Sequence, residues 1–240
     1  MDASIIECAA ENPEAIMGER VEFPSNGHTC NGYFAAPQSG KGPAVVVIQE
    51  WWGLVPHIED LVNRFANAGF IAVAPDLYHG ITTKSPDEAT KLLMELDAER
   101  AVKEIIGAGE YLLGRPECSS SKFGVIGFCM GGALAKYAAT KSEKVGAAVS
   151  FYGGFKKVQP EWQNLNAPLM LIAGGDDKGV PADGEAELER KLRAMGKDVS
   201  LHVYEGANHA FFNDNRPEVY NAEASADAWE KTLELFRKSL

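Results

Sequence analysis

Apolar runs recur along the chain, and the segments between them change to a helical period. "AVVVIQ" (44–49), "FIAVAP" (70–75), "KFGVIG" (122–127), "AAVSFYG" (147–153) and "PLMLIAGG" (168–175) are nearly continuous apolar stretches, the pattern of strands buried on both faces, whereas "VSLHVY" (199–204) alternates more. Upstream, "RVEFPSNGHTCNGYFAAP" carries two alternating stretches around Asn26-Gly27, a pair suited to the positive φ angles of a tight turn, and predicts an edge hairpin. In "HIEDLVNRFANAG", Ile58, Leu61, Val62, Phe65 and Ala68 share one helical face, with Gly69 as the C-terminal stop. "SPDEATKLLMEL" opens with Ser85, Pro86 and Glu88, the signature of a capping box. Asp97 is placed to start a helix running to Leu113, and further helices are predicted over 130–140, 182–195 and 222–238. Strands alternating with helices predict an α/β fold with a mostly parallel sheet covered by helices on both faces, because right-handed crossovers return the chain to one sheet. No repeat, low-complexity tract or linker divides the sequence, so one domain over residues 1–240 is expected.

Charge narrows the choice of partner. The chain has 23 basic and 34 acidic side chains, a net charge of −11 spread without blocks of one sign, which argues against nucleic acid and anionic membranes and for a small molecule. Cysteines 8, 30, 118 and 129 form no CxxC pair and no cluster with histidine, so neither a zinc site nor a disulfide framework is expected. The first twenty residues carry acidic groups where a signal peptide is basic, and no segment reaches the roughly 18 apolar residues of a membrane span. A cytoplasmic protein with reduced thiols and no membrane contact is the expectation.

In doubly covered sheets, chemistry gathers at the C-terminal ends of the strands. The residues there are Glu50, Asp76, Cys129, Asp176 or Asp177, and His209. Gly127-Phe128-Cys129-Met130-Gly131 has the spacing of a nucleophile elbow, with cysteine in place of serine. Such a turn needs glycines two residues either side of the nucleophile so that strand and helix can approach, and the helix that follows favours a thiolate at its N-terminus. A free cysteine is ordinarily a packed core residue, which is the reading for Cys8, Cys30 and Cys118; the elbow sets Cys129 apart. A lone histidine is ordinarily a surface residue, yet His209 in "EGANHAFF" follows a strand and precedes aromatic residues, a combination that His28, His57, His79 and His202 lack. In "AGGDDKGVP" one aspartate serves a turn, and local pattern does not choose between Asp176 and Asp177. Asp76 reads most simply as a turn residue, and Glu50 reads equally well as an exposed strand end or a functional carboxylate.

The order cysteine, aspartate, histidine is that of an α/β-hydrolase. Together with "VVVIQEWWGL", "FIAVAPDLYHG", "VIGFCMGG", "FYGG", "AGGDDKGVP" and "GANHAF", it makes the chain resemble the cysteine-dependent dienelactone hydrolase family from about Arg20 to Arg237. The resemblance places the acid on Asp177, followed by Val180-Pro181, and the base on His209, where Asn208 replaces the family's glycine. It also implies that Glu50 lies beside Cys129, accepting its S–H bond and opposing thiolate formation by like charge until substrate displaces it.

The implied activity is hydrolysis of a small ester or lactone through a thioester, with no metal and no cofactor. The oxyanion would be held by the amides of Met130, from the elbow, and Trp51, from the resemblance. Trp52, Tyr78, Tyr152 and Phe211 are expected pocket walls. Family members that take carboxylate-bearing lactones carry arginines where this chain has Gly80 and Asn213, leaving His79 and Arg216 as the nearest replacements. A general carboxylesterase or thioesterase is the competing enzyme reading, and a non-catalytic binding scaffold the competing class. A monomer is expected in preference to an oligomer.

Overall fold

Residues 16–240 are described by a computed structural model, so Cys8 lies outside the described residues. The apolar runs become strands of one eight-stranded sheet: β1 (Glu19–Ser25), β2 (His28–Ala35), β3 (Gly42–Ile48), β4 (Ile71–Pro75), β5 (Cys118–Phe128), β6 (Val145–Phe151), β7 (Leu169–Gly174) and β8 (Val199–Tyr204). Their spatial order is β1-β2-β4-β3-β5-β6-β7-β8. The β1–β2 hairpin turns through Asn26 at φ 53° and Gly27 at φ 76°, as its sequence predicts. β2 is antiparallel to β4, and every pairing from β4 to β8 is parallel.

Among the described residues five α-helices lie between strands, α1 (Pro56–Asn67), α2 (Pro86–Glu95), α3 (Ala98–Leu113), α4 (Met130–Lys141) and α5 (Ala182–Ala194), and α6 (Ala222–Ser239) follows β8. Because strand side chains alternate, β3 sends Ala44, Val46 and Ile48 into a core shared with Ile105 of α3 and Leu134 of α4. Val45 and Val47 enter the opposite core, with Leu61 and Phe65 of α1 and Phe236 of α6. Both faces of the sheet are therefore covered, which is why the central strands read as continuous apolar runs. None of the described helices is long and apolar enough to cross a membrane.

Local start signals mostly hold, with one revision. Asp97 caps α3 by accepting from the amides of Glu99 and Arg100 at 3.0 and 3.1 Å. Ser85 accepts from the Glu88 amide at 3.4 Å, but the return half of the expected capping box is not made. The Ser85 amide instead donates to Thr83 Oγ1 at 3.0 Å, and Glu88 accepts from the Thr83 hydroxyl at 2.5 Å. A threonine two residues upstream thus intercepts both groups. Of the expected α1 face, Ile58, Leu61, Val62 and Phe65 are fully buried, while Ala68 at the C-cap is half-buried.

Phe236 anchors the last helix, with its ring centroid 6.0 Å from that of Phe65 and 6.3 Å from that of Phe70. Truncating a buried phenylalanine costs about 3–5 kcal/mol. Phe236→Ala is expected to lower the urea midpoint accordingly at an unchanged m-value, and a change below about 1 kcal/mol would show that α6 is not seated on the sheet through this ring.

Candidate active site

The corner between β5 and α4 fixes the thiol. Cys129 has φ 55° and ψ −117°, a conformation that non-glycine residues rarely adopt, and it stands immediately before the first residue of α4. The flanking glycines permit this approach. A Cβ on Gly127 would collide with the carbonyl of Gly131, and one on Gly131 would come within 2.6 Å of the Ile48 carbonyl oxygen. Backbone on both sides leaves nothing flexible to yield. Cys129 is half-buried, and its amide donates to the Phe151 carbonyl at 3.0 Å, which ties the corner to the end of β6. Met130 is the first residue of α4, so its amide has no carbonyl to bond within its own helix. Of the other cysteines, Cys30 is buried in the core and Cys118 is half-buried on β5.

Two loops bring an acid and a base to the same edge. After β7, Asp177 is 4% exposed, and its Oδ1 accepts from the amides of Gly179 and Val180 at 2.8 and 2.9 Å. Its Oδ2 lies 2.7 Å from His209 Nδ1 in the loop after β8. Asp176 is exposed, so the structure resolves which of the two aspartates faces the histidine. Burial works against the Asp177 carboxylate, but the hydrogen bonds from His209 and the Val180 and Gly179 amides outweigh it and hold its pKa below the usual range. Burial likewise opposes a charged His209, yet its hydrogen bond to Asp177 and the nearby Cys129 sulfur push its pKa up to about 10. Asp76 is a turn residue, as expected, accepting from the amides of Tyr78 at 3.2 Å and Gly80 at 2.6 Å.

Glu50 follows β3 directly and is 2% exposed, which removes the exposed-strand-end reading. Its Oε2 accepts a hydrogen bond from Asn213 Nδ2 at 2.9 Å. Burial pushes the Glu50 carboxyl up, and the Asn213 bond with the nearby charges of His209 and Arg216 offsets this only in part. Tyr152 sits at φ 38° with its ring centroid 4.9 Å from that of His209. Its hydroxyl is buried without a hydrogen-bond partner, and burial, with Glu50 and Cys129 close by, raises its pKa well above the ordinary value. Tyr78 donates to Met130 Sδ at 3.4 Å, directly beneath the corner.

Trp51 and Trp52 are half-buried, their ring centroids 4.8 Å apart. Trp52, Asn213 and Arg216 line a recess of about 640 Å³ with His57, Thr83 and Lys84. Phe211 corrects an expectation: it is fully buried in the core between Phe151, Tyr152 and Tyr204, behind the site instead of on a pocket wall. Its position two residues after His209 placed it near the site, but the backbone reversal at Ala210, φ 63°, turns it inward. Asn213 is the residue whose contact local pattern missed. It reads from the sequence only as a missing arginine, and its contact with Glu50 spans 163 positions. Among the described residues, no group of three or more His, Cys, Asp or Glu side chains is arranged to hold a metal ion.

Comparison with known proteins identifies the family. Residues 30–240 match the model of the dienelactone hydrolase family. Protein usf of Aquifex pyrophilus is 39% identical, covering 93% of this chain and all of its own length. A protein of Aquifex aeolicus provisionally named carboxymethylenebutenolidase is 36% identical over the same shares. Among solved structures, a dienelactone hydrolase-like promiscuous phosphotriesterase from metagenomic libraries superposes with a TM-score of 0.83 at 25% identity, covering 94% of this chain and 99% of that one.

Because the folded His209 value of about 10 lies above the ordinary 6.5, its charge contributes stability that is complete below about pH 6.5 and is lost as pH rises through about 10. Asp177→Asn and Cys129→Ala each remove a group that raises it. Both variants are expected to titrate His209 at lower pH than the parent by NMR, and an unchanged titration in Cys129→Ala would show that the sulfur does not contact the imidazole.

Proposed function

The chain belongs to the dienelactone hydrolase family of α/β-hydrolases, and from that premise we propose that it cleaves small esters or lactones through Cys129, His209 and Asp177. The observation that carries this reading is the His209 imidazole hydrogen-bonded to buried Asp177, with Cys129 in its strained turn near enough to raise the histidine pKa. Asp177 orients the ring and stabilises its charge, so that the proton Cys129 gives up is held on His209 when the sulfur attacks. The sulfur attacks the carbonyl carbon, and the carbonyl electron pair becomes an oxyanion facing the amides of Met130 and Trp51. Collapse expels the alkoxide, which takes the proton from His209, and leaves a thioester on Cys129. Water, deprotonated by His209, then attacks the thioester, releasing the carboxylic acid and returning the proton to sulfur.

Charge near the site favours uncharged substrates. Asn213 is committed to Glu50, and the Gly80 amide to Asp76. Of the nearest cations, Arg216 is paired with Glu218 at 2.9 Å and His79 lies 3.7 Å from Glu104. The substrate is therefore a neutral or weakly polar ester or lactone, a preference that also suits the broader reading as a general carboxylesterase or thioesterase.

Three comparisons test the assignment. Cys129→Ala is expected to abolish p-nitrophenyl acetate hydrolysis, while alanine at Cys30 or Cys118 retains it; equal rates for wild type and Cys129→Ala would leave only the binding-scaffold reading. Asp177→Asn is expected to lower turnover roughly 10³- to 10⁴-fold, with a mild effect from Asp176→Asn, and the reverse ranking would move the acid by one residue. The methyl ester of a dienelactone acid is expected to exceed the free acid in kcat/KM by roughly tenfold to a hundredfold, the worth of one missing charge-assisted pair. A preference for the acid that disappears in Arg216→Ala or Lys84→Ala would instead identify an anion site in the recess.

A further inference from the structure

Cys129 and His209 arrive on strands β5 and β8, with β6 and β7 between them. The 2.7 Å contact with Asp177 fixes the His209 imidazole at one atom, Nδ1, and the side chain is 33% exposed, so that bond alone leaves the ring free to swing. Tyr152 supplies a second hold. It follows β6 directly, and its ring packs against the imidazole with centroids 4.9 Å apart and planes inclined at 58°. Phe211 and Phe128 flank the same ring at 5.6 and 6.3 Å. Because Tyr152 is fully buried, its ring can act on the chemistry only through His209.

The backbone that carries this ring is fixed in an unfavourable conformation. A φ of 38° is an outlier for an aromatic residue, and such strain persists only where the surrounding structure determines it. Three hydrogen bonds do so here. The Tyr152 amide donates to the Ile172 carbonyl of β7 at 2.7 Å, the Phe151 carbonyl accepts from the Cys129 amide at 3.0 Å, and the Gly153 carbonyl accepts from Lys136 Nζ of α4 at 2.9 Å. A Cβ on Gly153 would lie 2.7 Å from the Gly132 carbonyl carbon, so the turn is pressed against the start of α4. The ring beside His209 is therefore tied to the helix that begins at Cys129.

We propose that Tyr152 is a positioning residue that acts through His209: its ring, anchored to the start of α4, fixes the orientation of the imidazole relative to Cys129, and its hydroxyl takes no part. This deepens the reading of His209 as the base of a cysteine nucleophile and rests on it. Catalytic groups keep one orientation only when packing supports their hydrogen bonds, and a small misplacement can cost about 10²-fold in rate. The Tyr152 hydroxyl is buried without a hydrogen-bond partner, so deleting it breaks no bond. Deleting the ring leaves the imidazole held by Asp177 alone.

The test compares Tyr152→Leu with the conservative variant Tyr152→Phe, reading p-nitrophenyl acetate hydrolysis and the NMR signals of the His209 ring protons. Tyr152→Leu is expected to lower kcat by roughly tenfold to a hundredfold at an unchanged KM and to broaden or split the His209 signals. Tyr152→Phe is expected to restore both. Tyr152→Met, whose unbranched chain refills the space without a flat face, provides the same comparison if the leucine variant does not fold. Wild-type kcat with a single sharp His209 signal in the folded leucine or methionine variant overturns the proposal. So does a loss in Tyr152→Phe as large as that in Tyr152→Leu, which would assign the role to the hydroxyl. The NMR readout is independent of the nucleophile: equal hydrolysis by wild type and Cys129→Ala would remove the catalytic reading, while the His209 signals would still report whether the Tyr152 ring fixes the imidazole.

Discussion

The arrangement depends on one steric constraint, the contact between the end of β5 and the start of α4. The chain must leave the middle of a covered sheet and enter a helix within one residue. It does so by placing Cys129 at φ 55° and pressing Gly127 against Gly131. The strain costs about 1–3 kcal/mol and persists only where surrounding structure determines it. Here that structure is extensive: β5 is paired on both edges, and α4 is buried along almost its whole length. The sulfur is thereby presented at the strand ends, where the loops after β3, β7 and β8 also terminate.

A second layer holds those loops in register with the corner. Lys136 on α4 is buried, and its ammonium donates to the Gly153 carbonyl at 2.9 Å and to Glu185 Oε1 on α5 at 2.7 Å. One cation therefore joins the helix behind Cys129, the loop that carries Tyr152, and the helix that follows the Asp177 loop. Breaking such a buried pair from one side leaves an uncompensated charge, typically far costlier than losing an exposed pair. On the other flank, the short loop from His209 to Arg216 carries both the histidine that meets Asp177 and the amide that contacts Glu50. The ends of β3 and β8 are coupled through that single loop.

Electrostatically, the site sets opposed carboxylates around one imidazole. Asp177 is stabilised as an anion by two backbone amides and His209, whereas buried Glu50 relies on a neutral side chain and more distant charges. The two acids therefore differ in proton affinity in opposite directions, and only Asp177 is hydrogen-bonded to His209.

How much of this was legible in the sequence follows from the range of each interaction. The continuous runs of β3 to β7, the Asn26-Gly27 turn, the Asp97 cap and the glycine spacing around Cys129 are set by sterics and periodicity within a few residues, so pattern alone determined them. The strand order, with β4 between β2 and β3, depends on pairing between distant segments, as does the choice of Asp177 over Asp176, which turns on which carboxylate meets a histidine 32 positions away. Phe211 and Asn213 show the same limit. Local reading placed both near the base, but the reversal at Ala210 and the position of β3 decided that one enters the core and the other reaches Glu50. Sequence determined which chemistry is present at the strand ends; only tertiary structure decided which groups touch, because a hydrogen bond is made or lost over a few tenths of an ångström that no local pattern encodes.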